Sequence, residues 1–286
     1  MRLDYRIVNV FTREGGALTG NPLCVFEDGS SLDTPTMQAL ALQFNLSETS
    51  FVLPSDRADA KVRIFSPSYE MPFAGHPTLG TSHVVRDLLG LGEAVALELN
   101  VGVIPVRRDG RLWELRANTA TTRVPAAAPE ALAEALGIAE SDLAGQPLWV
   151  STGTEQLIVP VATPAAVARV SAPYERLKAA TMDGPRPNAY VFAKAGEGRL
   201  VARYFFSRTG AMIEDPATGS ATANLGGFLL ANGGTPPLTF DIAQGEMAGR
   251  PSALRLRIDE ARNVYVAGEV VELGRGFVDL ADRRAS

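Results

Sequence analysis

The stretch from Pro216 to about Leu230 constrains this chain more than any other, because it reads as an apolar helix and yet carries Gly219, Gly226 and Gly227. Each glycine costs about 1 kcal/mol relative to alanine in a helix interior. A helix lying on a surface would hardly hold three. The pattern is reconciled with the cost if sheet encloses the helix and the small residues sit where backbone must come close. Gly226 and Gly227 are assigned mainly to that packing, and Gly219 to keeping the helix mouth open. The mouth itself is Asp215-Pro216-Ala217-Thr218-Gly219-Ser220. Asp is among the best N-cap residues and Pro is favoured at the first helical position. The N–H groups of such a start, screened only by small side chains, suit a carboxylate or other oxyanion.

A second passage has the same grammar. His76-Pro77-Thr78-Leu79-Gly80-Thr81 lies over Asp215 to Ser220 at an offset of 139 residues (215 − 76), close to half the chain. Two similar halves facing one another, each giving one helix mouth to a shared site, would produce this repeat.

With 286 residues, 46% hydrophobic and 21% charged, the chain is long and apolar enough for two domains of common size. A net charge of −5 without a Lys/Arg run lacks the electrostatic footprint for nucleic acid, and no apolar run reaches the length of a membrane span. The N-terminus enters a strand-like pattern with no signal-peptide core, so a cytoplasmic protein is expected. The single cysteine, Cys24, sits in the apolar run Leu23 to Phe26 and reads as a small buried hydrophobe.

Residues 2 to 11 alternate and are rich in β-formers, and a Gly-rich turn leads to a second strand, Leu23 to Phe26. Thr34-Pro35 opens a helix with Met37, Leu40, Ala41 and Phe44 on one face, and Asn45 to Ser50 ends it and feeds a strand from Phe51 to Leu53, leaving Glu48 in the junction. Further strands and a helix from Pro77 to about Leu89 follow, without regular βαβ alternation, so an α+β class is expected. Thr119 to Pro129 is the best linker. The divided reading is therefore an N-terminal domain of residues 1–120, to which a strand at about 270–281 returns, and a C-terminal domain of residues 121–286. Short separate strands are expected at Val264 to Ala267 and Val270 to Leu273.

Counting excludes several chemistries. The only histidines, His76 and His83, are seven residues apart, about 10 Å along a helix, which suits no two-His metal pair. Nucleophile-elbow, P-loop and dinucleotide-binding fingerprints are missing. What remains is a set of proton-transfer groups, Glu48, His76 and Asp215. Apolar neighbours around Glu48 would bury it partly, which raises a carboxyl pKa. A loop glutamate, a packed histidine and a plain helix cap are the ordinary uses of these three residues, and the residue pattern alone leaves both uses open.

The blocks Gly20-Asn21-Pro22, Asn45 to Val52, Phe65-Ser66-Pro67, Pro72 to Gly80, Glu214 to Ala221, Gln244-Gly245, Gly249 to Ser252 and Gly274-Arg275-Gly276 occur in this order over almost the whole chain. In them the chain resembles the phenazine-biosynthesis PhzF-like isomerases, which share the diaminopimelate epimerase fold. The resemblance implies two similar domains, each a curved, mostly antiparallel, barrel-like sheet around a central helix, with the site in the cleft between them. It implies a homodimer without cofactor or metal that moves a proton on a small, cyclic carboxylate, as in isomerisation of trans-2,3-dihydro-3-hydroxyanthranilate. Glu48 matches the catalytic glutamate and His76 and Asp215 the assisting residues. Gly75, Gly219 and Ser220 match ligand-binding turns, and the adjacent Ser47 and Thr218 join them as substrate-binding candidates. Relatives that racemise or epimerise use two cysteines at the helix mouths. The lone Cys24 disfavours an amino-acid epimerase, and the joint presence of Glu48, His76 and Asp215 disfavours a carboxylate-binding protein without turnover.

Overall fold

The structure is a computed structural model that describes residues 1–208 and 210–280. Residues 281–286, the end of the anticipated C-terminal domain and of its returning strand, lie outside the described residues. The chain divides into two compact units, Met1–Leu115 with Gly268–Ser286, and Arg116–Ala267.

The first unit runs β1 (Arg2–Thr12), β2 (Asn21–Phe26), α1 (Thr34–Phe44), β3 (Glu48–Leu53), β4 (Ala60–Phe65), β5 (Glu70–Met71), α2 (Gly75–Leu89), β6 (Ala94–Leu99), β7 (Gly102–Asp109) and β8 (Leu112–Arg116). The second runs β9 (Thr121–Arg123), α3 (Pro129–Ala135), β10 (Leu148–Ser151), β11 (Glu155–Pro160), α4 (Pro164–Arg169), α5 (Tyr174–Ala180), β12 (Asn188–Gly196), β13 (Arg199–Arg208), β14 (Ala211–Asp215), α6 (Gly219–Ala231), β15 (Leu238–Gln244), β16 (Ser252–Ile258) and the start of β17 (Val264–Asp279). From Gly268 onward β17 belongs to the first unit.

The strand pairings reveal the duplication. In the first unit β1–β2 is antiparallel, β2–β3 parallel, β3–β4 and β4–β5 antiparallel, β4–β6 parallel and β6–β7 antiparallel. In the second, β10–β11, β11–β12, β12–β13, β13–β14, β13–β15 and β15–β16 repeat that series of senses. Each unit is thus a mostly antiparallel sheet, and in each the long buried helix, α2 or α6, follows the short fifth strand of the series.

Both helices are enclosed as their glycines require. A Cβ on Gly226 would lie 2.5 Å from Val264 Cγ1, and one on Gly227 would lie 2.3 Å from Ala120 Cβ and 3.1 Å from Val150 Cγ1. In α2 a Cβ on Gly80 would lie 2.6 Å from Leu23 Cδ2 and 2.9 Å from Val10 Cγ2. These separations are shorter than carbon–carbon contact, so the helices approach the strands only because side chains are missing. Ala120 offers no rotamer by which to retreat. We expect Gly227→Ala to cost about 1–3 kcal/mol, read as a lower urea midpoint with an unchanged slope; unchanged stability would mean that α6 does not press on Ala120.

Three local expectations need correction. Asp215 does not cap the second helix: it ends β14, and α6 begins at Gly219 with Thr218 as its N-cap. The expected strand pair after Val264 is one strand, β17, because Gly268 lets it pass Phe11, whose Cδ1 would lie 2.2 Å from a Cβ at that position. Glu48 is the first residue of β3 rather than part of the preceding junction. The first correction also shifts the internal repeat. With helix starts superposed the offset is 144 residues (219 − 75), which matches the N-caps Ala74 and Thr218, then Gly75 with Gly219, His76 with Ser220, and Thr78 with Thr222.

Candidate active site

In the first unit, α1 ends where Asn45 turns left-handed at φ 50°, a conformation asparagine tolerates well, and its N–H bonds the Ala41 carbonyl. The chain then needs only Leu46 and Ser47 to enter the sheet, where β3 starts with Glu48 paired beside Leu23 of β2. Leu23 is also the residue that Gly80 admits against α2. The close helix–strand approach brings the first turn of α2 to Glu48. His76 Nδ1 lies 2.8 Å from Glu48 Oε2, with the imidazole 6% and the carboxylate 18% exposed.

The geometry of this pair leaves chemistry to spare. The approach is close but not aligned as a hydrogen bond, and among the described residues Glu48 Oε2 and His76 Nε2, both buried, find no hydrogen-bond partner. Buried polar atoms are nearly always satisfied, and orphaned ones mark sites that a ligand or solvent completes. With Nδ1 turned to the carboxylate, Nε2 is the ring nitrogen left for that purpose. Gly75 is buried as the first residue of α2, and the N-cap Ala74 has no side chain with which to bond the helix N–H groups. Ser47 is half-buried in the bend before β3.

In the second unit the other candidates lie together. Thr218 Oγ1 donates to Asp215 Oδ2 at 2.5 Å and accepts from Gln244 Nε2 at 2.9 Å. Gln244 Nε2 also donates to the Asp215 carbonyl at 2.9 Å. Turned to these partners, the threonine hydroxyl makes no capping bond, so both central helices begin without a side-chain cap. Gly219 is buried at the start of α6 and Ser220 is half-buried beside it. Ser220 Oγ accepts from Gln156 Nε2 at 3.0 Å, and Gln156 Oε1 accepts from Asn224 Nδ2 at 2.7 Å.

Gln156, Asn224 and Gln244 are hydrogen-bonded to the candidate residues or to one another, and the residue pattern alone did not single them out. Their signal was present as polar amides within otherwise apolar strands and helix, a pattern that needs a partner wherever it is buried. Concavities of about 320 Å³ around Arg203, Phe205 and Met212 and about 340 Å³ around Leu53, Ala60 and Leu88 contain none of the candidate residues. The orphaned polar atoms weigh more than volume in locating chemistry. Among the described residues no group of three His, Cys, Asp or Glu is placed to hold a metal ion, and no helix is long and apolar enough to cross a membrane. Cys24 is fully buried, and burial pushes its thiol well above the usual range, which keeps it protonated and unreactive.

Known proteins are similar to this chain over nearly its whole length. The family model for phenazine biosynthesis-like proteins, PhzC-PhzF, matches residues 8–276. The chain belongs to that family. An uncharacterized isomerase of Pasteurella multocida is 37% identical over 279 residues, covering 95% of this chain and 92% of that protein. The trans-2,3-dihydro-3-hydroxyanthranilate isomerase of Pseudomonas aeruginosa is 32% identical over 287 residues, covering 96% and 97%. A Bacillus anthracis PhzF-family crystal structure superposes with a TM-score of 0.85 over 98% of this chain and all of that one, at 24% identity. The fold of this PhzC-PhzF member is therefore that of the PhzF proteins, and the protein is an enzyme of this isomerase family.

Proposed function

We propose that the protein is a cofactor-independent isomerase that moves a proton between carbons of a small, cyclic carboxylate; its Pseudomonas aeruginosa relative is named as an isomerase of one such carboxylate. The observation that carries the reading is the Glu48–His76 pair, two proton-transfer groups 2.8 Å apart with one polar atom of each left unpartnered in a buried setting. Glu48 takes the proton as a C–H bond breaks, and the electron pair moves into the conjugated system. It returns the proton as a new C–H bond forms at another ring carbon. His76 orients the carboxylate through Nδ1 and offers Nε2 to the substrate. Each of the helix starts, at Gly75 and at Thr218-Gly219-Ser220, presents N–H groups of the kind that suit a carboxylate or charge developing next to one, and in the second unit Asp215 holds the Thr218 hydroxyl. Ser47, next to the base, is assigned to substrate contact.

The same reading makes the protein a homodimer, to be checked by sedimentation velocity. The test of the reaction is turnover of trans-2,3-dihydro-3-hydroxyanthranilate by enzyme dialysed exhaustively against EDTA. We expect full activity without added metal or cofactor and no loss on treatment with iodoacetamide. Activity that vanishes on dialysis and returns with a metal ion would overturn the cofactor-free reading.

A further inference from the structure

The amides beneath the mouth of α6 form a chain whose polarity is fixed at its far end by backbone. Asn224 Oδ1 accepts from the Thr152 N–H at 2.8 Å and from Thr152 Oγ1 at 2.8 Å, and Asn224 Nδ2 donates to the Thr154 carbonyl at 2.8 Å. A backbone N–H can only donate and a carbonyl can only accept, so the Asn224 amide has one possible orientation. Its remaining N–H meets Gln156 at 2.7 Å, which must therefore present Oε1 there and Nε2 to Ser220. Ser220 lies one helical turn before Asn224, on the same face. Asn224 is fully buried and Gln156 is 1% exposed, so water does not scramble the sequence of donors and acceptors.

We infer that Gln156 and Asn224 are positioning residues that occupy one lone pair of the Ser220 hydroxyl and so turn its proton toward a ligand carboxylate at the mouth of α6. Because Ser220 Oγ already accepts from Gln156, its proton points elsewhere, and among the described residues no acceptor takes it. A second observation points to the same corner. The Tyr204 hydroxyl is buried without a hydrogen-bond partner among the described residues, on a residue that pairs with Asp215 across β13 and β14. A mouth built this way favours an acceptor such as a carboxylate over a donor such as an amide N–H. This rests on the carboxylate-binding reading above and adds which residues impose the selectivity.

The test is calorimetric titration of wild type, Gln156→Met and Gln156→Glu with 2-aminobenzoate and with its neutral analogue 2-aminobenzamide, on proteins shown by circular dichroism to be folded. Methionine keeps the volume but supplies no donor to Ser220, so Gln156→Met frees the hydroxyl to donate or accept and should narrow the preference for 2-aminobenzoate over 2-aminobenzamide, with both affinities within about tenfold of wild type. Glutamate accepts from both Asn224 and Ser220, which turns the serine lone pairs outward. Gln156→Glu should therefore weaken 2-aminobenzoate roughly 100-fold and bind 2-aminobenzamide more tightly than wild type does. Charge repulsion alone would leave the amide's affinity unchanged, and a merely structural role would weaken both ligands in both variants; either result overturns the inference. Wild type that binds neither probe would instead sink the carboxylate-binding reading. A neutron structure of the unliganded enzyme decides the polarity independently: deuterons on the Gln156 nitrogen directed at Ser220 Oγ are expected, and a serine deuteron directed at Gln156 overturns it.

Discussion

Glu48→Gln is expected to lower turnover by about 10²–10⁴-fold, the usual contribution of a positioned acid or base, while ligand affinity stays within about tenfold. Glutamine keeps the shape and one acceptor oxygen but cannot take a proton from carbon. It also places an amide beside His76 Nδ1, so the imidazole loses its carboxylate neighbour at 2.8 Å. Loss of kcat with little change in KM is the signature of an interaction made only in the transition state. A variant with wild-type kcat would remove Glu48 from the chemistry. His76→Asn, tested alongside, should reduce kcat less than Glu48→Gln, because it leaves the base in place.

The second large effect concerns stability. Arg6 in β1 is 3% exposed and is the hub of a carboxylate cluster. It bonds Glu27 at 2.5 Å, Glu272 at 3.1 Å and Asp87. Arg6→Met fits the volume but leaves these carboxylates facing one another across a buried position. Breaking such a pair on one side costs about 3–5 kcal/mol, and the half-exposed Asp87 places the expected loss near the lower bound.

The pH dependence follows from the same cluster. The hydrogen bond from Arg6 outweighs burial and holds Asp87 below its usual range. At Glu272 burial works to raise the pKa, but the hydrogen bond and charge of Arg275, with Arg6, lower it overall. Carboxylates with depressed native pKa values stabilise the fold above their unfolded values, and that contribution is lost as pH falls through the native ones. The deficit of Arg6→Met in urea unfolding should therefore be complete at pH 7 and shrink once the pH drops below the ordinary carboxylate values near 4. A deficit unchanged at pH 3 would mean that packing, not charge, accounts for it.

How much of this was legible in the sequence differs by feature. The enclosed helix was legible at Gly226 and Gly227, because a glycine cost must be recovered by close packing, and both glycines meet side chains of neighbouring strands. Glu48 and His76 were legible as chemistry but not as a contact. Their distance depends on Asn45 ending α1 and on Gly80 admitting Leu23, effects that act between elements far apart in sequence. The cap at Asp215 was misread because local propensity favours Asp-Pro as a helix start, whereas β14 pairing with β13 holds Asp215 opposite Tyr204 in the sheet. The internal repeat was visible in the sequence but with the wrong register. Helix starts, rather than matching residue types, align the two halves, and His76 is then the sequence counterpart of Ser220. The amide chain from Thr152 to Ser220 joins residues 68 and 72 positions apart and had no local pattern to announce it.

The central claim is that Glu48 carries the migrating proton without help from a cofactor. It is tested most directly by following trans-2,3-dihydro-3-hydroxyanthranilate in D₂O by proton NMR with EDTA-dialysed wild type and Glu48→Gln. Wild type should convert the substrate and place hydrogen or deuterium at the new carbon position, and Glu48→Gln should leave both the substrate and its C–H signals unchanged over the same time. Conversion by Glu48→Gln at the wild-type rate, or conversion by wild type only after a metal or organic cofactor is added, would contradict it.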